Sequence, residues 1–235
     1  MDLSATPKEN QLLAALPAGS YRRLLPDLEA IALRTGETLV RPTGRLLFAY
    51  FPTTSIVTSC YAVRRDRAMA KAWPVGREGV LGISLFLGSR KRDNGADVQL
   101  GGAAFRLPAA ALLAEFKRAG EFQEVLLRYV FALVTQASQL AVCANHHPIE
   151  QRLCRFLGRL FDRVSGDEVT MTQERIAELL GVRRVSITGA STRLRAAGII
   201  EYRRGHLKVI SRPKLDERAC SCGAIIRRAF EAVTG

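Results

Sequence analysis

Two groups of residues in this chain have side chains able to do chemistry at a surface. Between positions 169 and 210 stand the cations Arg183, Arg184, Arg203, Arg204 and Lys208, with the hydrogen-bonding side chains Thr172, Gln173, Ser186, Thr188 and Thr192. Guanidinium and hydroxyl groups in this density suit phosphate oxygens, and an arginine can also read guanine O6 and N7 in a major groove. Val185 and Thr188 add methyl groups that can meet thymine methyls. The second group is thiols and imidazoles: Cys60, Cys143, Cys154, Cys220 and Cys222, with His146, His147 and His206. An odd, scattered cysteine set is unlike a secreted disulfide framework. The Cys220-x-Cys222 spacing is tight and lacks a second pair, and His146-His147 sits at a helix break. The expectation is therefore buried, inert thiols and locally hydrogen-bonded histidines, with no metal and no cofactor. A redox- or metal-responsive use of Cys143, Cys154, Cys220 and Cys222 is the alternative.

The first group needs a frame. Thr172 can cap a helix over Gln173–Leu180, with Glu174 in its first turn favourable to the dipole and Ile176 and Leu180 facing inward. Gly181 gives a sharp turn, and Val182 plugs the joint. A second helix from Arg184 to Ala197 carries Ile187, Ala190, Leu194 and Ala197 on its core side. Opposite lie Val185, Thr188, Gly189, Thr192 and Ala196, small enough for close approach to a groove, flanked by Arg184 and Arg195. Gly198 ends this helix. Ile199–Tyr202 and His206–Ile210 alternate as strands around Arg203-Arg204-Gly205, a β-hairpin wing. Helix, glycine turn, helix and wing make a winged helix-turn-helix.

Upstream, Glu9–Leu16 and Tyr21–Ile31 are predicted as short helices. From about 32 to 107, the runs Glu37–Val40, Leu46–Phe51, Ser55–Val63 and Met69–Trp73 are divided by Pro42, Gly44, Pro52, Gly76, Gly88 and Gly101-Gly102, and Ser89–Gly95 is a charged loop. Many short strands at close spacing indicate a sandwich or jelly roll. Glu121–Ala144 then lacks proline and glycine. Phe122, Leu126, Tyr129, Leu133, Gln136, Leu140 and Cys143 repeat along it at coiled-coil spacing, so Phe122, Leu126, Tyr129, Leu133 and Leu140 are predicted to dimerise. Pro148 breaks the helix, and another follows over Ile149–Val164. The chain thus reads as α+β, with a β-roll domain over 1–120, a dimerisation helix over 121–147 and the winged helix-turn-helix over 148–235.

Composition agrees with a polyanionic partner. The 235 residues carry a formal charge of +13, with 18 basic and 12 acidic residues over 1–144 and 17 and 10 over 145–235, so the excess is denser in the shorter part. Double-stranded DNA is the first partner to consider, ahead of an acidic membrane surface. No stretch approaches the ~20 apolar residues of a membrane span, and the first residues are polar, so a cytoplasmic protein is expected. A metal-dependent cupin enzyme would need histidines on its barrel strands. None occurs between 32 and 107.

On these residues the chain resembles Crp/Fnr-type transcription regulators over nearly its full length. Gly36-Glu37-Thr38-Leu39 leading to Gly44, Tyr50-Phe51-Pro52 and Val75-Gly76-Arg77-Glu78-Gly79 resemble the family's cyclic-nucleotide-binding-like β-roll. Thr172–Val182 resembles its first DNA-binding helix and turn. The resemblance implies that Thr172 and Gln173 touch phosphate, that Arg184 takes part in base readout, and that a homodimer binds a palindromic operator. It makes RNA polymerase a candidate partner. Val185 and Gly189 stand where prominent members carry glutamate and arginine, so the operator sequence does not carry over. Leu81-Gly82 precedes Ile83 rather than a glutamate, and Arg92 precedes Asp93-Asn94, so tight cyclic-AMP binding is not expected and the effector is unknown.

Overall fold

The computed structural model describes residues 5–41, 44–62, 69–88, 94–164 and 166–234. Pro42, Val63 and Ser89–Asp93, which figure in the predicted turns, strands and charged loop, lie outside them. Two short helices come first, α1 (Gln11–Ala14) and α2 (Ala18–Leu24). Asn10, fully buried, caps α1 through its Oδ1, while its Nδ2 donates to the carbonyls of Pro52 and Gly79 at 2.8 and 2.9 Å. The helix expected over Tyr21–Ile31 stops at Leu24. Pro26 removes a backbone donor, a 3-10 turn spans Leu25–Asp27, and Glu29–Leu33 is instead strand β1.

Strands β2 (Thr38–Val40), β3 (Phe48–Pro52), β4 (Ile56–Ala62) and β5 (Met69–Val75) follow, then helix α3 (Ile83–Phe86), and strands β6 (Asn94–Leu100) and β7 (Gly102–Pro108). Asn94 and Gly95, expected in the charged loop, open β6, where Gly95 pairs with Cys60 and Asn94 with Tyr61. Two antiparallel sheets result, in the orders β1-β7-β3 and β2-β6-β4-β5. Their inward residues share one core. Leu33, Tyr50 and Ala104 come from the first sheet, and Val40, Val57, Val75, Ala96 and Val98 from the second. This is the β-roll that closely spaced short strands indicate.

Helix α4 (Ala109–Lys117) packs beside α2 through an Arg23–Glu115 pair, Nε to Oε2 at 2.8 Å and Nη2 to Oε1 at 2.5 Å. The hydrogen bond from Arg23 holds the buried Glu115 carboxyl below its ordinary value against the opposing effect of burial. A depressed carboxylate pKa contributes stability that is complete above the unfolded-state value and disappears as pH falls through the folded-state value. The stability difference between the protein and a Glu115→Gln variant, followed by urea unfolding, is therefore expected in full at neutral pH. It should shrink once the pH drops below about 4.5. A difference that grew on acidification would reject this account.

Helix α5 (Glu121–His146) runs for 26 residues. Its burial corrects the predicted dimer seam. Phe122, Leu126, Tyr129 and Leu133 are at most 5% exposed within a single chain, and Leu140 is half-buried. Tyr129 donates to the Val80 carbonyl, meets Phe230 edge-on at 6.0 Å, and lies so close to Gly79 that a Cβ there would overlap its ring. Phe122, Leu126, Tyr129 and Leu133 thus fill the core of their own chain and are not free to meet a partner. A different stripe faces outward. Glu124, Leu127, Phe131, Val134, Ser138 and Ala141 are exposed and also repeat at steps of 3 and 4. Contrary to the expected lack of a span-length apolar stretch, α5 is long and apolar enough to cross a membrane by length and composition.

The remaining elements are α6 (Ile149–Phe161), β8 (Glu168–Thr170), α7 (Gln173–Leu180), α8 (Arg184–Ala196), β9 (Ile200–Arg203), β10 (His206–Val209), α9 (Arg212–Arg218) and α10 (Cys222–Thr234). By packing, the chain divides into two compact units, 1–134 with 229–235, and 135–228. The boundary falls inside α5, between Val134 and Thr135, rather than at its ends.

Candidate nucleic-acid interface

Within the second unit, α7 and α8 are set by local chemistry. Thr172 Oγ1 accepts from the Arg175 amide at 3.2 Å, satisfying a first-turn donor of α7. Gly181 ends the helix in the left-handed conformation (φ 63°), which a side chain rarely adopts. Ile176, Ala177 and Leu180 on α7 and Ile187, Ala190 and Leu194 on α8 are buried. With these inner faces fixed, Val185, Thr188, Thr192 and Ala196 are left exposed on α8. Val185 is 71% exposed, which leaves its methyl groups open to contact. A Cβ on Gly189 would meet only an Arg193 nitrogen at 3.7 Å, so this face is shallow by composition and not by crowding.

The structure brings two of the predicted polar residues into direct contact. Thr188 Oγ1 donates to Gln173 Oε1 at 2.7 Å, tying α8 to the start of α7. Arg184 stands 3.8 Å from Glu174, both about two-thirds exposed, a pairing that holds the guanidinium only loosely. Arg183, Arg203 and Arg204 are exposed and have no ion-pair partner among the described residues. Ser186 is half-buried near the start of α8. Lys208 pairs with Asp167 at 3.3 Å.

The wing is larger than the sequence indicates. β10 pairs with β9 as predicted, but also with β8, giving a three-stranded sheet in the order β8-β10-β9. A three-residue strand of one apolar and two polar residues has little pattern to detect. Arg204 and Gly205 both take positive φ, 50° and 86°, the tight two-residue turn that matches the twist of a hairpin. The wing is joined to α7 by the Met171 amide, which donates to the Gly205 carbonyl at 2.8 Å, and by the Tyr202 hydroxyl, which donates to the Met171 carbonyl. Burial raises the Tyr202 phenol above its ordinary value, opposed by nearby Arg184.

Sequence reasoning missed the residues that hold these helices in place. Glu150 on α6 accepts from Arg193 of α8 at 2.7 Å and from Arg218 of α9 at 3.1 Å. The Arg193 hydrogen bond, aided by Arg218 against the effect of burial, keeps the Glu150 carboxyl below the usual range. Arg152, also on α6, donates to the Leu180 carbonyl at 2.7 Å, satisfying the C-terminal end of α7. The strong amphipathic pattern of α6 was the available signal, but the partners are 28 to 68 residues away in sequence.

No curated protein matches the sequence significantly. Residues 151–218 match the Crp-like helix-turn-helix domain. Among solved structures, the chain is similar to a protein from Eubacterium rectale assigned to the crp/fnr family of transcriptional regulators. The TM-score is 0.67 at 13% identity, over 90% of this chain and 98% of that one. It is similar to FixK2 from Bradyrhizobium japonicum, with TM-score 0.65 at 14% identity over 82% and 98%. It also resembles a transcriptional regulator of the CRP/FNR family from Thermus thermophilus, with TM-score 0.56 at 18% identity over 81% and 98%.

Proposed function

Residues 151–218 form a Crp-like helix-turn-helix domain in a chain with the fold of Crp/Fnr regulators, and on this basis we propose that the protein is a transcription regulator binding a palindromic operator in double-stranded DNA as a homodimer. The observation that carries this reading is the outer face of α8, where Val185, Thr188 and Thr192 stand exposed around Gly189. Such a face admits a helix into the major groove, its methyl groups able to meet thymine and Arg184 able to reach a guanine edge. Thr172, Gln173, Arg183 and Ser186 on the helices, with Arg203, Arg204 and Lys208 on the wing, are the proposed phosphate contacts. Affinity for any sequence should therefore fall steeply with salt.

The test is selection of bound DNA from a random pool. An inverted repeat with half-sites about one helical turn (~34 Å) apart is expected. Recovery of unenriched sequences would overturn sequence-specific binding. Arg184→Ala should cost about 1–3 kcal/mol at one base step of the selected site. An equal loss on all sequences would make Arg184 a phosphate contact.

The proposed role is regulatory and not catalytic, and cyclic AMP is a poor fit to the β-roll. Ile83, the first residue of α3, offers no carboxylate to ribose hydroxyls where the family pattern places one. Arg92 and Asp93, the other departure from that pattern, lie outside the described residues. Calorimetry is expected to detect no micromolar binding of cyclic AMP.

A further inference from the structure

Three cysteines and a histidine that are scattered in the sequence converge in the second unit. Cys143 and His147 sit four residues apart at the end of α5, where the His147 amide still bonds the Cys143 carbonyl at 3.2 Å, so helical spacing aligns both side chains. Cys220 and Cys222 flank the turn into α10, closed by the Gly223 amide donating to the Cys220 carbonyl. Cys143 Sγ and Cys220 Sγ are 3.4 Å apart, Cys222 Sγ and His147 Nδ1 are 3.6 Å apart, and all four ligand atoms lie within 4.8 Å of one another. The tight Cys-x-Cys thus does have a second pair, supplied by α5. From the 143/147 and 220/222 spacings alone the two halves give no sign of meeting.

We propose that Cys143, His147, Cys220 and Cys222 bind a single zinc-class divalent cation in a closed tetrahedral site. Tetrahedral zinc, with bonds of about 2.3 Å to sulfur and 2.0–2.1 Å to nitrogen, places its ligand atoms about 3.5–3.8 Å apart along each edge. The Cys222–His147 separation of 3.6 Å falls in that range, the Cys143–Cys220 separation of 3.4 Å lies just short of it, and no pair exceeds 4.8 Å, so small side-chain adjustments complete the shell. The three thiols are buried and the histidine is half-buried, the enclosure of a structural site with no open coordination position. A disulfide requires sulfurs at about 2.05 Å, and all five cysteines are free.

The surroundings suit the charge of such a site. Three thiolates around a divalent ion leave one net negative charge, and Arg155 is the neighbouring cation. It is 8% exposed, and its Nε has no hydrogen-bond partner among the described residues. Gly223 permits its approach, since a Cβ there would stand 3.3 Å from Arg155 Cγ. A cavity of about 340 Å³ lined by Arg155, Cys220 and Ser221 offers a route of entry. The competing redox role fits less well. A reactive redox thiol sits partly exposed, whereas all five thiols here are buried, and a two-sulfur exchange pair gives no place to the His147 nitrogen beside Cys222. A bound cation would fasten the turn between α9 and α10 to the end of α5.

The experiment uses the full chain, purified under reducing, anaerobic conditions and loaded with zinc or cobalt(II) alone. One equivalent of tightly held zinc per chain is expected, together with the intense visible bands and thiolate charge-transfer absorption of tetrahedral cobalt. Cys222→Ser should lose most of the bound metal and the charge-transfer intensity, while Cys154→Ser, removing a buried thiol outside the cluster, should keep both. Should Cys222→Ser fail to fold, blocking the thiols of the unmodified protein decides the matter, since it should release zinc in step with modification. Substoichiometric zinc with an octahedral cobalt spectrum, a Cys143–Cys220 disulfide in the anaerobic protein, or iron with acid-labile sulfide would each overturn the proposal. None of these readouts requires DNA binding, so failure here and failure of the operator reading are separable.

Discussion

Phe131→Glu is expected to make the protein monomeric and to lower its affinity for the selected operator by roughly 10²- to 10⁴-fold, the gain that linking two binding modules provides. The reason lies in the exposed stripe of α5. Phe131 is 70% exposed, Val134 56% and Leu127 46%, at successive positions of a heptad spacing along one helix. Single exposed apolar residues need no explanation, but three in register along a rigid helix make a surface suited to a second copy of itself. Two-fold pairing would bury both Phe131 rings, at about 1.5–3 kcal/mol each. Glutamate at the same place removes that burial and sets two carboxylates against each other. Light scattering would report the association state and fluorescence anisotropy the DNA affinity. The inner stripe supplies the control. Leu126→Ala should cost about 2–5 kcal/mol of stability as a core truncation, with the folded fraction remaining dimeric. A dimeric Phe131→Glu protein would remove α5's outer stripe from the interface.

Gly189→Glu should abolish operator binding to a similar depth without harming the fold. The site accepts a Cβ, and glutamate is a better helix former than glycine by about 0.5–1 kcal/mol, so thermal stability should hold or rise. Against DNA, a carboxylate in the middle of the reading face meets phosphate charge and base acceptors. Such like-charge placement costs several kcal/mol, about a hundredfold or more in affinity. Gly189→Ala, adding one methyl in open space, should lose far less. Retained binding by Gly189→Glu would turn α8 away from the groove.

Much of this was legible before any coordinates. The helix Gln173–Leu180, its Thr172 cap, the Gly181 turn and the β9–β10 hairpin are written in local chemistry, where each residue's preference agrees with its neighbours'. What was not legible depends on distance. The outer and inner stripes of α5 share one spacing, and a period cannot say which face the rest of the chain will cover. The helix predicted over Tyr21–Ile31 carried Pro26 as a warning, but only the pairing of Glu29–Leu33 with Gly102–Arg106 makes its end a strand. Glu150 reads as an ordinary helix-start acid, and its ties to Arg193 and Arg218 appear only when three helices are packed.

The hairpin tip at Arg204 has its own implication. A non-glycine residue held at φ 50° is conformationally disfavoured by roughly 1 kcal/mol, and asparagine or glycine would relieve the discomfort. The chain instead keeps a long cation there, beside Arg203. For a wing that grips phosphate as proposed, reach and charge at the tip come at a small sacrifice of rigidity, and variants selected for heat tolerance there are the ones in which grip should slacken first.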